Sequence, residues 1–249
     1  MKRLRQLSLL VLLAVGLGPL QFNPAAKLAA QTERSFETIA IIGTGNVGST
    51  LGKIWAEAGH TIIYGSRTPL SSRVQNLLIE TGNAATATSQ AAAARQAEII
   101  LIPVPPTAIA EVIATLGDLT GKLVIDPTNY WEFEAGYPVS PRDPRASLAE
   151  EVQALAPGAT VVKAFNTLNY MVMEDPSRSA GPVTVPIAGN DALAKQRVAR
   201  LVEDVGLEPL DVGPLQAAEY LEEMLRLALG FRELNPGAAF DYYLRVRPN

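Results

Sequence analysis

Residues 41–67, IIGTGNVGSTLGKIWAEAGHTIIYGSR, decide the fold. The apolar run TIAIIG, from Thr38 and closed by Gly43, predicts a buried strand. Val47 to Ala58 carries a helical pattern, and HTIIYG, from His60, predicts the next strand. Between the first strand and the helix, Gly43, Gly45 and Gly48 form G-x-G-x-x-G. In that setting the first glycine permits a sharp turn and the second lets the backbone approach a pyrophosphate. The third lets helix and strand pack closely. The helix start then offers its N–H groups and the positive end of its dipole to phosphate. The stretch predicts a dinucleotide pocket.

The end of the second strand selects the dinucleotide. An NAD site places Asp or Glu there, to hold a ribose 2′-hydroxyl. Here the strand runs into YGSRTP with no acidic residue, and Ser66 and Arg67 occupy the neighbourhood. A guanidinium and a hydroxyl suit a 2′-phosphate, with Arg73 as a second cation from the following helix. The expected cofactor is NADP(H). The plainer alternative for Arg67 is a solvated surface arginine.

Working outward, PLSSRVQNLLIETG predicts a helix opened by Pro69 and stopped near Gly82, and AAAARQA another helix. AEIILIPVPP and KLVIDPTN predict strands flanking the helical TAIAEVIATLG. SLAEEVQALAPG opens on a capping box, Ser147 with Glu150. ATVVKAFN, VTVPIAG and LEPLDVG predict later strands, with helices over Asp191–Val205 and about Leu215–Leu229. This alternation predicts an α/β, Rossmann-type doubly wound, mostly parallel sheet with a small C-terminal helical and strand extension. The proline-rich stretch from Tyr137 to Arg145 is expected to be a loop, idle or able to close over a ligand.

Composition limits the chemistry. The 249 residues contain no cysteine and one histidine, which excludes thiolate catalysis and multi-histidine metal sites. No metal is expected, and His60 is read as an ordinary loop residue. The net charge of −4 gives no general attraction to nucleic acid. At the N-terminus, Lys2, Arg3 and Arg5 precede an apolar stretch from Leu7 to Leu20 and a small-residue tail near Ala30. Residues 1–30 thus read as an export signal, or as an uncleaved anchor, followed by a linker over 31–37 and an NADP-binding domain over 38–249. The expected location is a compartment outside the cytoplasm, or the cytoplasm if the start is misassigned. The mature chain is expected not to span a membrane.

IAIIGTGNVGSTLGKIWAEAGHTIIYGSR, VVKAFNTL and LDVGPLQAAEYLEEM together resemble the NADPH:F-420 oxidoreductase family of deazaflavin reductases. They are also similar to the NADPH-binding domain of the six-transmembrane metalloreductases, which VKAFNTL matches more closely. The resemblance runs from about Thr38 to Leu229. It implies hydride transfer between NADP(H) and a small-molecule acceptor, deazaflavin F-420 or a flavin such as FMN or FAD, and a homodimer is common in this fold. By position it implies that Thr44, Asn46 and Val47 join the glycines around the pyrophosphate. Pro103 and Val104 would lie along the nicotinamide side, and Asn129, Ala164, Phe165 and Asn166 would edge the place where the acceptor ring stacks. Ser71 stands where the deazaflavin reductases tend to carry a phosphate-binding lysine, a role left here to Arg73.

Hydride transfer to a flavin-like ring requires stacking and exclusion of water rather than a side-chain acid or base. Lys163 is the one candidate for protonating a carbonyl substrate, and is read more readily as a structural residue. A module that binds NADP without catalysis, and a flavin-mediated metal reductase, stand beside the reductase reading.

Overall fold

The computed structural model describes residues 36–139 and 147–247. Residues 1–30, read above as an export signal or anchor, and most of the linker lie outside these residues. The order is β1 (Thr38–Ile42), α1 (Asn46–Glu57), β2 (Thr61–Gly65), α2 (Ser72–Thr81), β3 (Thr86–Thr88), α3 (Gln90–Gln96), β4 (Ile99–Leu101), α4 (Ile109–Leu116) and β5 (Leu123–Asp126). A hairpin follows, β6 (Glu132–Glu134) with β7 (Tyr137–Val139), then α5 (Leu148–Leu155), β8 (Thr160–Lys163) and the short α6 (Tyr170–Glu174). The chain continues through β9 (Thr184–Gly189), α7 (Ala192–Glu203), β10 (Glu208–Gly213) and α8 (Ala218–Leu234).

The main sheet has eight strands in the order β10-β9-β8-β5-β4-β1-β2-β3. From β3 to β8 every neighbouring pair is parallel, in the doubly wound order that reverses between β1 and β4. β9 then runs antiparallel to β8, and β10 parallel to β9. The extension thus widens the sheet before α8 crosses back.

β1 is apolar throughout because both its faces are covered. Ile39 and Ile41 join one core layer with Leu51 and Trp55 of α1, while Ala40 and Ile42 join the other with Ile100 and Leu148. Burying each isoleucine side chain contributes about 1.5–3 kcal/mol. The Trp55 indole N–H donates to the Leu201 carbonyl at 2.9 Å, fastening α1 to α7.

Three expectations need correction. Pro69 does not open α2. The Ser71 N–H donates to the Thr68 carbonyl at 3.0 Å, so Pro69 is the second residue of a β-turn and the helix starts at Ser72. The expected loop from Tyr137 begins as strand β7, paired with β6 across Ala135 and Gly136, both at positive φ (50° and 81°). Residues 140–146 of that stretch lie outside the described residues. Finally, α8 does not stop near Leu229 but continues to Leu234. Gly230 is not a terminator: a Cβ there would lie 2.6 Å from the Tyr137 ring, so glycine permits the hairpin to rest on the helix.

His60, although in a loop, is buried. Its Nδ1 accepts the Glu37 N–H at 3.0 Å, which leaves Nε2 to carry the proton toward the Asp204 carboxylate, also at 3.0 Å. With the Arg197–Glu37 ion pair, it fastens the entry to β1. Its role is structural.

Candidate functional site

A cavity of about 490 Å³ lies outside the carboxyl ends of β1, β2 and β4, at the point where the strand order reverses. Gly43, Thr44 and Gly45 line it from the first turn, and Ser66, Arg67 and Thr68 from the second. Ser71 and Arg73 close one side; Pro103, Val104 and residues of α4 close the other.

The three glycines differ in what demands them. Gly43 sits at φ +131°, and a Cβ would stand 3.1 Å from the Pro103 carbonyl oxygen. At Gly48 a Cβ would drive into the Gly43 carbonyl and meet the Ile41 side chain at 3.0 Å. Gly45 has ordinary backbone angles, φ −74° and ψ −175°, and no protein atom within 4 Å of a Cβ. The protein itself does not require glycine there. The space is open to the cavity, as a site for a pyrophosphate needs.

Gly45 is also the N-cap of α1, with no side-chain cap and no acidic residue in the first turn. The N–H groups at that end therefore keep their capacity for an anion. Asn46 and Val47 form this first turn. The residues present thus fit a bound dinucleotide.

Arg73 reaches across the cavity edge, donating from Nη2 to the Thr44 carbonyl at 3.1 Å. Ser66 accepts the Thr68 N–H at 3.1 Å through Oγ, which shapes the turn and leaves the hydroxyl proton for another acceptor. Arg67 is exposed in the cavity, and no other described residue bonds to it. Ser71, the N-cap of α2, makes no capping bond from its side chain.

The remaining expected site residues divide into two groups. Pro103 and Val104 line the same cavity as Ser66 and Arg67 and pack under Gly43. Asn129, Ala164, Phe165 and Asn166 do not line it; they follow β5 and β8. There the Asn129 amide donates to the Asn166 carbonyl at 2.9 Å, and the Asn166 amide donates back to Asn129 Oδ1 at 2.9 Å. The Asn166 amide also donates to the Leu221 carbonyl at 2.9 Å, which fixes its orientation and leaves its buried Oδ1 without a partner. Phe165 is held at φ +64°, an uncommon conformation for a non-glycine residue, with its ring edge-on to Trp55 at 5.8 Å.

Lys163 lies beneath this wall, fully buried. Its ammonium donates to Asp126 Oδ2 at 3.0 Å, to Glu222 Oε1 at 2.8 Å and to the Thr128 carbonyl. All three N–H bonds are taken. Glu222 also accepts the Leu148 N–H at 2.9 Å. Burial pushes the Glu222 carboxyl above its ordinary value, opposed by the adjacent ammonium. Sequence reasoning missed Asp126 and Glu222, because the pairing brings together residues far apart in the chain.

Comparison with known proteins agrees with this geometry. The family profile described as NADP oxidoreductase, coenzyme F420-dependent, matches residues 38–130. A solved structure from Arthrobacter sp. FB24, assigned as an F420-dependent NADP-reductase, is 30% identical, with a TM-score of 0.76 over 84% of this chain and 100% of that one. The hypothetical protein SMa0349 from Sinorhizobium meliloti is 33% identical with a TM-score of 0.64, covering 78% of this chain and 91% of that one. Among curated proteins, the metalloreductase STEAP3 of Rattus norvegicus is 29% identical over 199 residues, 80% of this chain. The match spans only 38% of that relative's length. The full-length match to the Arthrobacter structure and the glycine-loop cavity at the strand-order reversal lead to one assignment: the chain belongs to the F420-dependent NADP oxidoreductase family.

Proposed function

We propose that the protein passes hydride between NADP(H) and a planar flavin-type acceptor, deazaflavin F-420 or a flavin such as FMN or FAD. The sealing of Lys163 carries this reading. A carbonyl substrate needs a proton donor beside the nicotinamide. Among the described residues, the one lysine at that end of the sheet has no exposed atom and no N–H to spare. Transfer between two stacked rings asks only for position and dryness.

In this reading Gly43, Gly45 and Gly48, with Thr44, Asn46 and Val47, would hold the pyrophosphate, and Ser66, Arg67 and Arg73 the 2′-phosphate. Pro103 and Val104 would lie along the nicotinamide side. Bound NADPH supplies the hydride. Asn129, Ala164, Phe165 and Asn166 orient the acceptor and exclude water, held in place by the reciprocal amide bonds and by α8.

The test follows NADPH absorbance with the protein and F-420, FMN, FAD, a ferric chelate or no acceptor, with NADH in parallel. Fast oxidation of NADPH, and not of NADH, with one acceptor supports the reading and names the partner. The metalloreductase relatives favour a second outcome, reduction of ferric chelate only when free flavin is present. No helix among the described residues is long and apolar enough to cross a membrane. NADPH binding without turnover on any acceptor would leave a binding module. Export through residues 1–30 and a homodimeric assembly complete the proposal; cell fractionation and light scattering test them.

A further inference from the structure

The cavity has a feature that phosphate binding does not explain. Its lining includes Ala108, Val112, Glu111 and Thr115 at and after the start of α4, two apolar residues and two polar ones. Glu111 is the one acidic residue among the described residues lining a cavity that also holds Arg67 and Arg73. No other described residue bonds its carboxylate. A negative charge there repels a polyanionic ligand. Its place in the first turn of α4 favours the charge through the helix dipole, but that does not require the side chain to line the cavity.

Thr115 lies one helical turn further along the same face. Its hydroxyl donates to the Val112 carbonyl at 2.7 Å, so only lone pairs remain for a ligand. Glu111, when ionised, likewise only accepts. This end of the cavity therefore pairs an apolar surface with two acceptors and no side-chain donor from α4.

We infer that Glu111 and Thr115 determine base specificity, accepting the 6-amino group of adenine and rejecting purines with a 6-oxo group. The inference rests on the reading of the cavity as the dinucleotide site. The 2′-phosphate sits on the ribose that carries adenine, so with that phosphate at Arg67 the base falls in the same cavity, whose wall α4 helps to form. Adenine offers a flat apolar face and an exocyclic donor. Hypoxanthine carries an oxygen in that place and its edge N–H on N1 instead, so acceptors aimed at the 6-substituent, the carboxylate and a hydroxyl whose proton is already engaged, would confront that oxygen.

The experiment is a binding titration, by calorimetry, of the full chain with NADPH and with its reduced hypoxanthine analogue. It is repeated for E111Q and T115V, with melting temperatures as a check on folding. Wild type is expected to prefer NADPH about tenfold or more, in line with a lost charged hydrogen bond. In E111Q the new amide can donate to the 6-oxo group, so the preference should shrink to about threefold or less. T115V should lower it more modestly. Equal binding of both nucleotides by wild type, or an unchanged ratio in E111Q, would overturn the inference. A parallel tightening of both nucleotides in E111Q would show Glu111 acting by charge alone, and would overturn it as well. Binding of neither nucleotide by wild type would instead remove the dinucleotide reading on which the inference stands.

Discussion

Lys163 and Glu222 meet 2.8 Å apart in the interior, so the last strand of the parallel set and the C-terminal helix are held by one charge pair. Asp126 shares the same ammonium from the neighbouring strand. Removing the lysine leaves two carboxylates buried without their cation. K163M is therefore expected to lose about 3–5 kcal/mol of stability, read from denaturant unfolding. E222Q keeps an acceptor for the Leu148 N–H and for Lys163, and should lose much less.

The same glutamate contributes a pH dependence. Its folded-state carboxyl titrates above the ordinary glutamate value, so just above that value the unfolded chain has released a proton that the folded chain retains. Stability from this group is full at lower pH and declines as pH rises from the ordinary value through the raised one. A series of unfolding curves should show this decline in wild type and not in E222Q. A decline of equal slope in the variant would assign it to other groups.

Arg67 should separate the two nicotinamide cofactors. It is exposed and unbonded among the described residues, so R67A should melt at nearly the wild-type temperature. A charge-assisted bond to a 2′-phosphate is worth about 1.5–3 kcal/mol, or about ten- to a hundredfold in affinity. NADPH binding should weaken by that factor and NADH binding change little. Equal losses for both would mean that Arg67 does not read the phosphate.

Two glycines of one motif should fail in different ways. G45V places its side chain in open space at backbone angles any residue adopts, so the fold should survive while dinucleotide binding is lost. G48A drives a methyl group into the Gly43 carbonyl and should cost about 1–3 kcal/mol of stability. Thermal unfolding and a binding titration on both variants check the contrast.

The parts legible in the sequence are those specified by neighbours. The β1 run, the glycine spacing and the Ser147–Glu150 capping box lie within a few residues of their partners, and the box forms both of its reciprocal bonds. What stayed hidden depends on residues distant in the chain. Nothing local shows that α8 runs on past Leu229, through a Gly230 against which Tyr137 rests. Residues of α4 line one cavity with Arg67 because the strand order reverses, which no local pattern records. The hairpin strands are only three residues each, joined by Ala-Gly rather than a stronger turn pair, so no alternation marks them. Glu111 and Thr115 look like the solvent face of an ordinary amphipathic helix.

The Leu148 amide hydrogen is bonded to a side chain 74 residues away, on α8, rather than to its own helix. It can exchange with deuterium only when that helix lifts off or the domain opens, so this single proton serves as a gauge of docking. Exchange at Leu148 faster than at the core amides of β1 would mark the C-terminal helix as a separate unit of opening. Matching rates would mean that sheet and helix come apart together.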